Sequence, residues 1–203
     1  MSNQIAPTKG NLMATKKSYD LAKLGFELLD RKRNILVREM MALIERAKEI
    51  QEKIDVTYKK AFTTLKKAHI ALGVCEELAQ SVPEQTGLNV TFRSVMGVEI
   101  PIVRFTEQEE TGIPFGLYNS NSDLDKAYSC FREVSRLTAG LAEVETSVYL
   151  LANAIKKTQK RANALKNIMI PKFETQIKVI TEALEEKERE EFSRLKVIKN
   201  QSK

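Results

Sequence analysis

One histidine, two cysteines and many scattered carboxylates are what this sequence offers for chemistry. His69 stands beside Lys66, Lys67 and Ala68 with no second imidazole or thiolate at metal-ligand spacing, so it reads as a solvated or helix-packing residue. Cys75 and Cys130 are too few for a disulfide framework and fit a reducing compartment, where a packing role is favoured over a bridge between them. They also leave little material for a Cys/His or Ser/His nucleophilic arrangement. The acids lie among bases, as in Lys48-Glu49-Ile50-Gln51-Glu52-Lys53 and Glu185-Glu186-Lys187-Glu188-Arg189-Glu190-Glu191. A catalytic carboxylate pair needs a water-excluding pocket to separate its two pKa values. Carboxylates spaced along a helix beside lysines instead form solvated i,i+4 pairs. The eight glycines never gather into GxxxxGK[ST] or GxGxxG, so no phosphate cradle is present. The expectation is therefore a chain with no catalytic, cofactor-binding or metal-binding residue of its own.

Composition agrees with that expectation. Over 203 residues, 30% are charged, 6% are aromatic and none is tryptophan, while Gly 8 and Pro 5 leave few places to turn. Such a chain favours extended helices over a globule with an enclosed pocket. The net charge of +6 suits acidic partners. Its excess is concentrated near the N-terminus, where Lys9, Lys16, Lys17, Lys23, Arg31, Lys32, Arg33 and Arg38 outnumber Asp20, Glu27, Asp30 and Glu39. Interleaved acids and scarce aromatics argue against a nucleic-acid stripe. Met1–Asn11 lacks the apolar core of a signal peptide, and no apolar run approaches the roughly 18 residues of a membrane span, so a soluble or peripheral protein is expected.

The elements that would carry these residues follow from periodicity. From about 11 to about 80 a 3-4 spacing runs Leu12, Thr15, Tyr19, Ala22, Phe26, Leu29, Arg33, Leu36, Met40, Leu43, Ala47, Ile50, Ile54, Thr57, Ala61, Thr64, Ala68, Ala71. Sustained a/d spacing is the mark of a left-handed coiled coil. Arg33, Thr57 and Thr64 read as polar interruptions that fix its register. No proline falls between Pro7 and Pro83, and about seventy helical residues would extend about 105 Å. From about 81 to 121 the pattern changes. Leu88, Val90 and Phe92 alternate, as do Val98, Ile100 and Ile102, on either side of Met96-Gly97, which predicts a β-hairpin. Pro101 assigns its strand to an edge, and Gly112, Pro114 and Gly116 mark a loop.

A second helix is expected from about 122 to 199, opened by a Ser122/Asp125 capping box. Its seam runs Leu141, Val144, Val148, Leu151, Ile155, Ala162, Leu165, Met169, Phe173, Ile177, Ile180, Leu184, Leu195, Ile198. The four-residue steps at Met169 and Phe173 read as a stutter, and Pro171 must kink or interrupt the helix. The predicted fold is thus mostly α: one elongated domain over 1–203. It is a long antiparallel two-helix left-handed coiled coil with a small middle insert containing a β-hairpin, and both termini lie at one end.

These residues resemble the D subunit of the V-type and A-type ATPases. The N-terminal likeness lies in Pro7-Thr8, Leu12, Lys16, Ala22, Gly25-Phe26-Glu27-Leu28-Leu29, Lys32-Arg33 and Leu36-Val37-Arg38-Glu39. The C-terminal likeness is stronger: Arg161-Ala162-Asn163-Ala164-Leu165, Ile170-Pro171, Ile177, Ile180, Leu184-Glu185-Glu186, Glu188-Arg189 and Arg194-Leu195-Lys196. Leu124-Asp125 fits as well. The resemblance implies a non-catalytic central rotor shaft at the cytoplasmic face of a membrane, coupling ATP hydrolysis or synthesis to ion transport. It further implies as partners the catalytic A and B subunits, the small F subunit of the stalk and a funnel-shaped subunit on the membrane rotor ring. The cations Lys16, Lys23, Arg31, Lys32, Arg161, Lys166, Arg189 and Arg194 are then expected to face the catalytic hexamer. Val90, Phe92, Ile100 and Ile102 are expected either to meet the F subunit or to pack internally. The competing expectation is a cytoplasmic coiled-coil adaptor or tether unrelated to an ATPase.

Overall fold

A computed structural model describes residues 6–73, 78, 80–82, 87–105 and 120–201. Helix α1 spans Lys9–Leu72. Thr8 caps its start, its Oγ1 accepting the Asn11 N–H at 3.2 Å while its carbonyl accepts the Leu12 N–H at 3.0 Å. The helix closes earlier than the periodicity predicts, at Leu72 instead of about 80. Gly73 follows with φ +78 and donates its N–H to the His69 carbonyl at 3.0 Å, a left-handed residue ending the helix. His69 is exposed in that last turn. Cys75, Pro83 and the Gly112, Pro114 and Gly116 loop lie outside the described residues, whereas Cys130 is a buried free thiol.

Strands β1 (Leu88–Val95) and β2 (Val98–Phe105) form the expected antiparallel hairpin, with Val95 opposite Val98 and Leu88 opposite Phe105. The two-residue turn places both Met96 (φ 50) and Gly97 (φ 75) at positive φ, matching the right-handed twist of the strands.

Helix α2 (Ser122–Ala164) is followed by a π turn (Leu165–Met169) and helix α3 (Ile170–Gln201). The capping box predicted at Ser122 shifts by one residue: the Asn121 carbonyl accepts the Leu124 and Asp125 amides, so Ser122 is already inside the helix. Among the described residues Asp125 Oδ1 is buried without a hydrogen-bond partner. The interruption expected at Pro171 takes the form of the π turn, in which the Ile170 N–H reaches back five residues to the Leu165 carbonyl.

The π turn also revises the seam. Thr158 and Ala162 are buried, Leu165 and Ile170 partly so, then Phe173, Ile177 and Ile180, while Met169 is exposed. The seam therefore steps five residues from Leu165 to Ile170. One extra residue is absorbed in the wider turn, so the apolar face stays aligned across the proline, and no stutter through Met169 is needed.

The chain divides into two compact units, Met1–Ile35 with Ile155–Lys203, and Leu36–Ala154. In the first, Lys9 pairs with Glu188, Tyr19 with Glu174, and Arg33 with Gln159. Rising numbers on α1 meet falling numbers on the partner helix, which is antiparallel packing around Thr15, Ala22, Ala162 and Ile180. In the second, Tyr58 and Phe62 meet Phe131, and Ala68 packs with Leu124, again antiparallel. Leu195 and Ile198, expected in the seam, are exposed together with Phe192. Lys9 is the first residue of α1 and already pairs with Glu188, so α3 runs on past the start of its partner helix.

Candidate partner-contact surfaces

All eight cations proposed from sequence fall in the first unit, Lys16, Lys23, Arg31 and Lys32 on α1, Arg161 on α2, Lys166 in the π turn, and Arg189 and Arg194 on α3. Seven are exposed and Lys32 is half-buried. They do not form one cluster. The Lys23 ammonium lies 4.4 Å from the Tyr19 ring centroid, and the Tyr19 hydroxyl donates to Glu174 Oε1 at 2.7 Å. Interaction with the Tyr19 hydroxyl, and secondarily the charges of Tyr19, Glu174 and Asp20, raise the Lys23 pKa above the ordinary lysine value of 10.5. Lys166 sits 5.7 Å from the Phe26 ring centroid, a cation over an aromatic face across the helix pair. Arg189 and Arg194 lean on Glu185 and Glu190 one turn earlier, at 3.9 and 3.7 Å. Such exposed pairs hold a side chain only loosely.

Arg33 crosses the helix pair as the polar interruption suggested. Its Nη1 donates to Gln159 Oε1 at 2.8 Å, and its Nη2 pairs with Asp30 Oδ1 at 2.7 Å. Thr57 and Thr64 do not cross; their hydroxyls donate to carbonyls of their own helix, Lys53 at 2.8 Å and Ala61 at 2.8 Å. A fixed side chain opposite a fixed partner is what locks register, so Arg33 performs that task and the threonines do not. Lys9 ties the first turn of α1 to Glu188 at 2.9 Å, and its pKa is raised by that hydrogen bond and charge.

One surface in this unit is absent from the sequence-based expectations. Leu21, Leu24, Leu28 and Ile35 are all exposed and follow 3-4-7 spacing, turned well away from buried Thr15, Ala22 and Leu36. Helix α1 thus carries a second apolar stripe offset from the first. Its signal is present in the periodicity, but it is hidden behind the seam that accounts for burial.

In the second unit the hairpin residues separate. Ile100 is 1% exposed and packs internally, Ile102 is half-buried, and Val90 and Phe92 point outward at 48% and 67% exposure. The Arg93 guanidinium pairs with Glu39 Oε1 on α1 at 2.8 Å, and the Val103 N–H donates to Glu143 Oε2 on α2 at 2.8 Å. The hairpin is therefore tied to the helices through both strands, by the Arg93 side chain of β1 and the Val103 backbone of β2, while the buried residues Ile100 and Pro101 lie on β2. Tyr58 and Phe62 stack at 5.8 Å, and Phe131 sits edge-on to Phe62 at 5.4 Å, an aromatic patch with Phe62 half exposed.

The groove of this unit encloses about 470 Å³ and is lined by Glu49, Glu52, Lys53, Val56, Thr57, Glu133 and Leu137. It is shallow and holds carboxylates and a lysine, with no thiol or imidazole to act as nucleophile or base. Among the described residues no three His, Cys, Asp or Glu side chains gather as metal ligands. No helix among them is long and apolar enough to cross a membrane.

Known proteins share this sequence over nearly its full length. The family profile for the D subunit of ATP synthase matches residues 11–200. The chain is 46% identical over 197 residues to the V-type ATP synthase D subunit of Thermotoga neapolitana, covering 96% of this chain and 97% of that protein. It is 37% identical over 200 residues to the A-type ATP synthase D subunit of Methanobrevibacter smithii, covering 97% and 87%. Against the A-type ATP synthase D subunit of Pyrococcus horikoshii it is 34% identical over 202 residues, covering 97% and 94%.

Proposed function

The chain belongs to the family of ATP synthase D subunits, and from that premise we propose that it is the central rotor shaft of a V/A-type rotary ATPase. It is an accessory subunit of that complex. The adaptor reading falls with the family match. In the proposed role the chain contributes no catalytic residue. ATP is handled by the catalytic A and B subunits, and the shaft sits at the cytoplasmic face of the membrane as a peripheral component. The small F subunit and a funnel-shaped subunit on the membrane rotor ring complete the rotor.

The observation that carries this reading is the antiparallel pairing of the first unit, Lys9 with Glu188 and Tyr19 with Glu174. It brings the helices of the two chain ends side by side. The paired helices there present unlike sides outward, the leucine stripe of α1 on one and scattered cations on others. A surface of that kind turning inside a ring of three catalytic pairs meets each pair differently. Each orientation then favours a different nucleotide state, because a shift of equilibrium requires differential interaction with the states. By reciprocity, binding and hydrolysis at the ring bias the orientation of the shaft. Lys16, Arg31, Lys32 and Arg161 are the cations proposed to face acidic ring surfaces. Lys23 and Lys166 are proposed chiefly to fix the helix pair through Tyr19 and Phe26.

The test is deletion of Asn11–Arg33, or of the segment after Pro171, followed by coupled ATPase and ion-transport assays on the assembled complex. Loss of coupling in both supports the shaft. Coupling retained in both removes it.

A further inference from the structure

We propose that the outer edge of β1 accepts an extended segment of another subunit of the same complex as a third strand beside the hairpin. The inference rests on the chain's membership of a multi-subunit complex and not on its turning.

The geometry starts from Val103. Its N–H leaves the hairpin toward Glu143 Oε2 at 2.8 Å, so the pair Val90–Val103 is one whose backbone groups point away from each other. Alternation then makes Asn89–Arg104, Thr91–Ile102, Arg93–Ile100 and Val95–Val98 the hydrogen-bonded pairs. The last is the pair a two-residue turn must close on. The N–H and C=O groups of Val90, Phe92 and Ser94 accordingly point outward from β1. On the other edge Val103 is occupied by Glu143, and Pro101, opposite Phe92, has no donor to offer. Among the described residues β2 has two of its outward donor positions filled or absent, and the outward groups of β1 have no partner.

An open edge is a template for pairing, and proteins usually protect it with charge, proline or a bulge. β1 has no proline and no bulge, and little charge. Its sequence, Leu-Asn-Val-Thr-Phe-Arg-Ser-Val, holds a single charge, Arg93, which is drawn to Glu39 at 2.8 Å. Leu88, Val90 and Phe92 share a face and are exposed, so the edge offers apolar positions at every second residue beside backbone groups that have no partner among the described residues. That combination selects an extended segment with apolar side chains at alternate positions.

Size decides between occupants. A strand of this length runs about 27 Å at roughly 3.4 Å per residue, and pairing along its edge covers well under the about 1,000 Å² that a free-standing interface needs. Two copies of this chain joined edge to edge would therefore come apart. A segment of a subunit already held elsewhere in the complex pairs at an effective concentration near the millimolar range, and the same edge then suffices.

Amide hydrogen exchange on the isolated full chain and on the assembled complex tests the proposal. The outward amides of Val90, Phe92 and Ser94 should exchange freely in the isolated chain and at least tenfold more slowly after assembly. The inward amides of Thr91 and Arg93 should be slow in both. Val90→Pro removes one outward donor without touching a bond to β2, so its complex should assemble with the Phe92 and Ser94 amides left fast. Equal exchange in free and assembled wild-type chain overturns the proposal, as does unchanged protection of Phe92 and Ser94 in the Val90→Pro complex. Slow, concentration-dependent exchange in the isolated chain overturns it in favour of a second copy. Rotor coupling of the Val90→Pro complex is measured separately. Coupling that survives while protection is lost leaves the shaft reading intact.

Discussion

The Val103 amide donates to Glu143 Oε2 at 2.8 Å, tying the inner strand of the hairpin to a helix 40 residues further along the chain. The carboxylate satisfies a half-buried backbone donor that β1 cannot reach. Glu143→Ala leaves that donor without a partner, at a cost of about 1–3 kcal/mol. Glu143→Gln keeps an acceptor and should recover most of it. The expected outcome is faster amide exchange across Val98–Phe105 in the alanine variant, with exchange around Tyr19 and Glu174 unchanged. Uniform acceleration throughout the chain would show that the bond supports general stability and does not anchor the hairpin.

The exposed stripe of Leu21, Leu24 and Leu28 carries its own expectation. Glutamine at Leu24 or Leu28 touches nothing internal, so the stability of the isolated chain should move by no more than about 0.5 kcal/mol. If the stripe is a contact surface, each leucine it buries contributes about 1.5 kcal/mol, and each substitution weakens affinity for the catalytic hexamer roughly tenfold. Titration of the hexamer with wild-type and variant chains checks this. Unchanged affinity for Leu24→Gln and Leu28→Gln together would mean that the stripe faces only water.

Lys23 should be among the last lysines of the chain to lose its proton. Its folded pKa is raised, first by interaction with the Tyr19 hydroxyl. A raised folded value means that its contribution is fully present below the ordinary lysine value of 10.5 and fades as pH climbs through the folded one. Following the Lys23 side-chain carbon resonance through an alkaline titration measures the shift directly. Tyr19→Phe should lower the midpoint toward that of an exposed lysine, with the charges of Glu174 and Asp20 still acting. A Lys23 that titrates with the exposed lysines in the wild-type chain would contradict the geometry.

The helices and the hairpin were legible because their signals are local. Apolar spacing of three and four leaves α1 and α2 little alternative, and alternation around Met96-Gly97 leaves the hairpin little alternative. What the pattern could not give is which of two apolar stripes on one helix is buried. Ala22 and Leu24 are two residues apart in α1, and only the partner helix decides that the first is covered and the second exposed. The hairpin quartet divided for a similar reason. Ile100 and Phe92 alternate alike in sequence, but β2 carries the buried residues Ile100 and Pro101, and β1 is exposed along nearly all its length. Leu195 and Ile198 continue a seam on paper, while α1 begins at Lys9 and gives them nothing to meet. The cations were the least legible, because exposure is common to nearly all of them and partner contact leaves no local mark.

The π turn yields a test of how the seam is kept in phase. Between Leu165 and Ile170 the buried face advances five residues, one more than an α-helical step, and Pro171 follows at once. Two causes could hold the turn open: the proline, which lacks a donor and collides with the carbonyl four residues back, or the extra residue, which a regular helix would rotate out of phase. Deleting exposed Ile168 separates them. Alone, the deletion restores a four-residue step from Leu165 but sets the proline inside a regular helix, at a cost of about 3 kcal/mol. With Pro171→Ala added, the helix can run through unbroken with its apolar face aligned, and most of that loss should return. Pro171→Ala by itself leaves the extra residue in place, so the π turn should persist and stability should change by less than about 1 kcal/mol. Chemical denaturation of the three variants distinguishes the causes. If Pro171→Ala alone abolishes the π turn without loss of stability, the proline is the cause and the seam needs no extra residue.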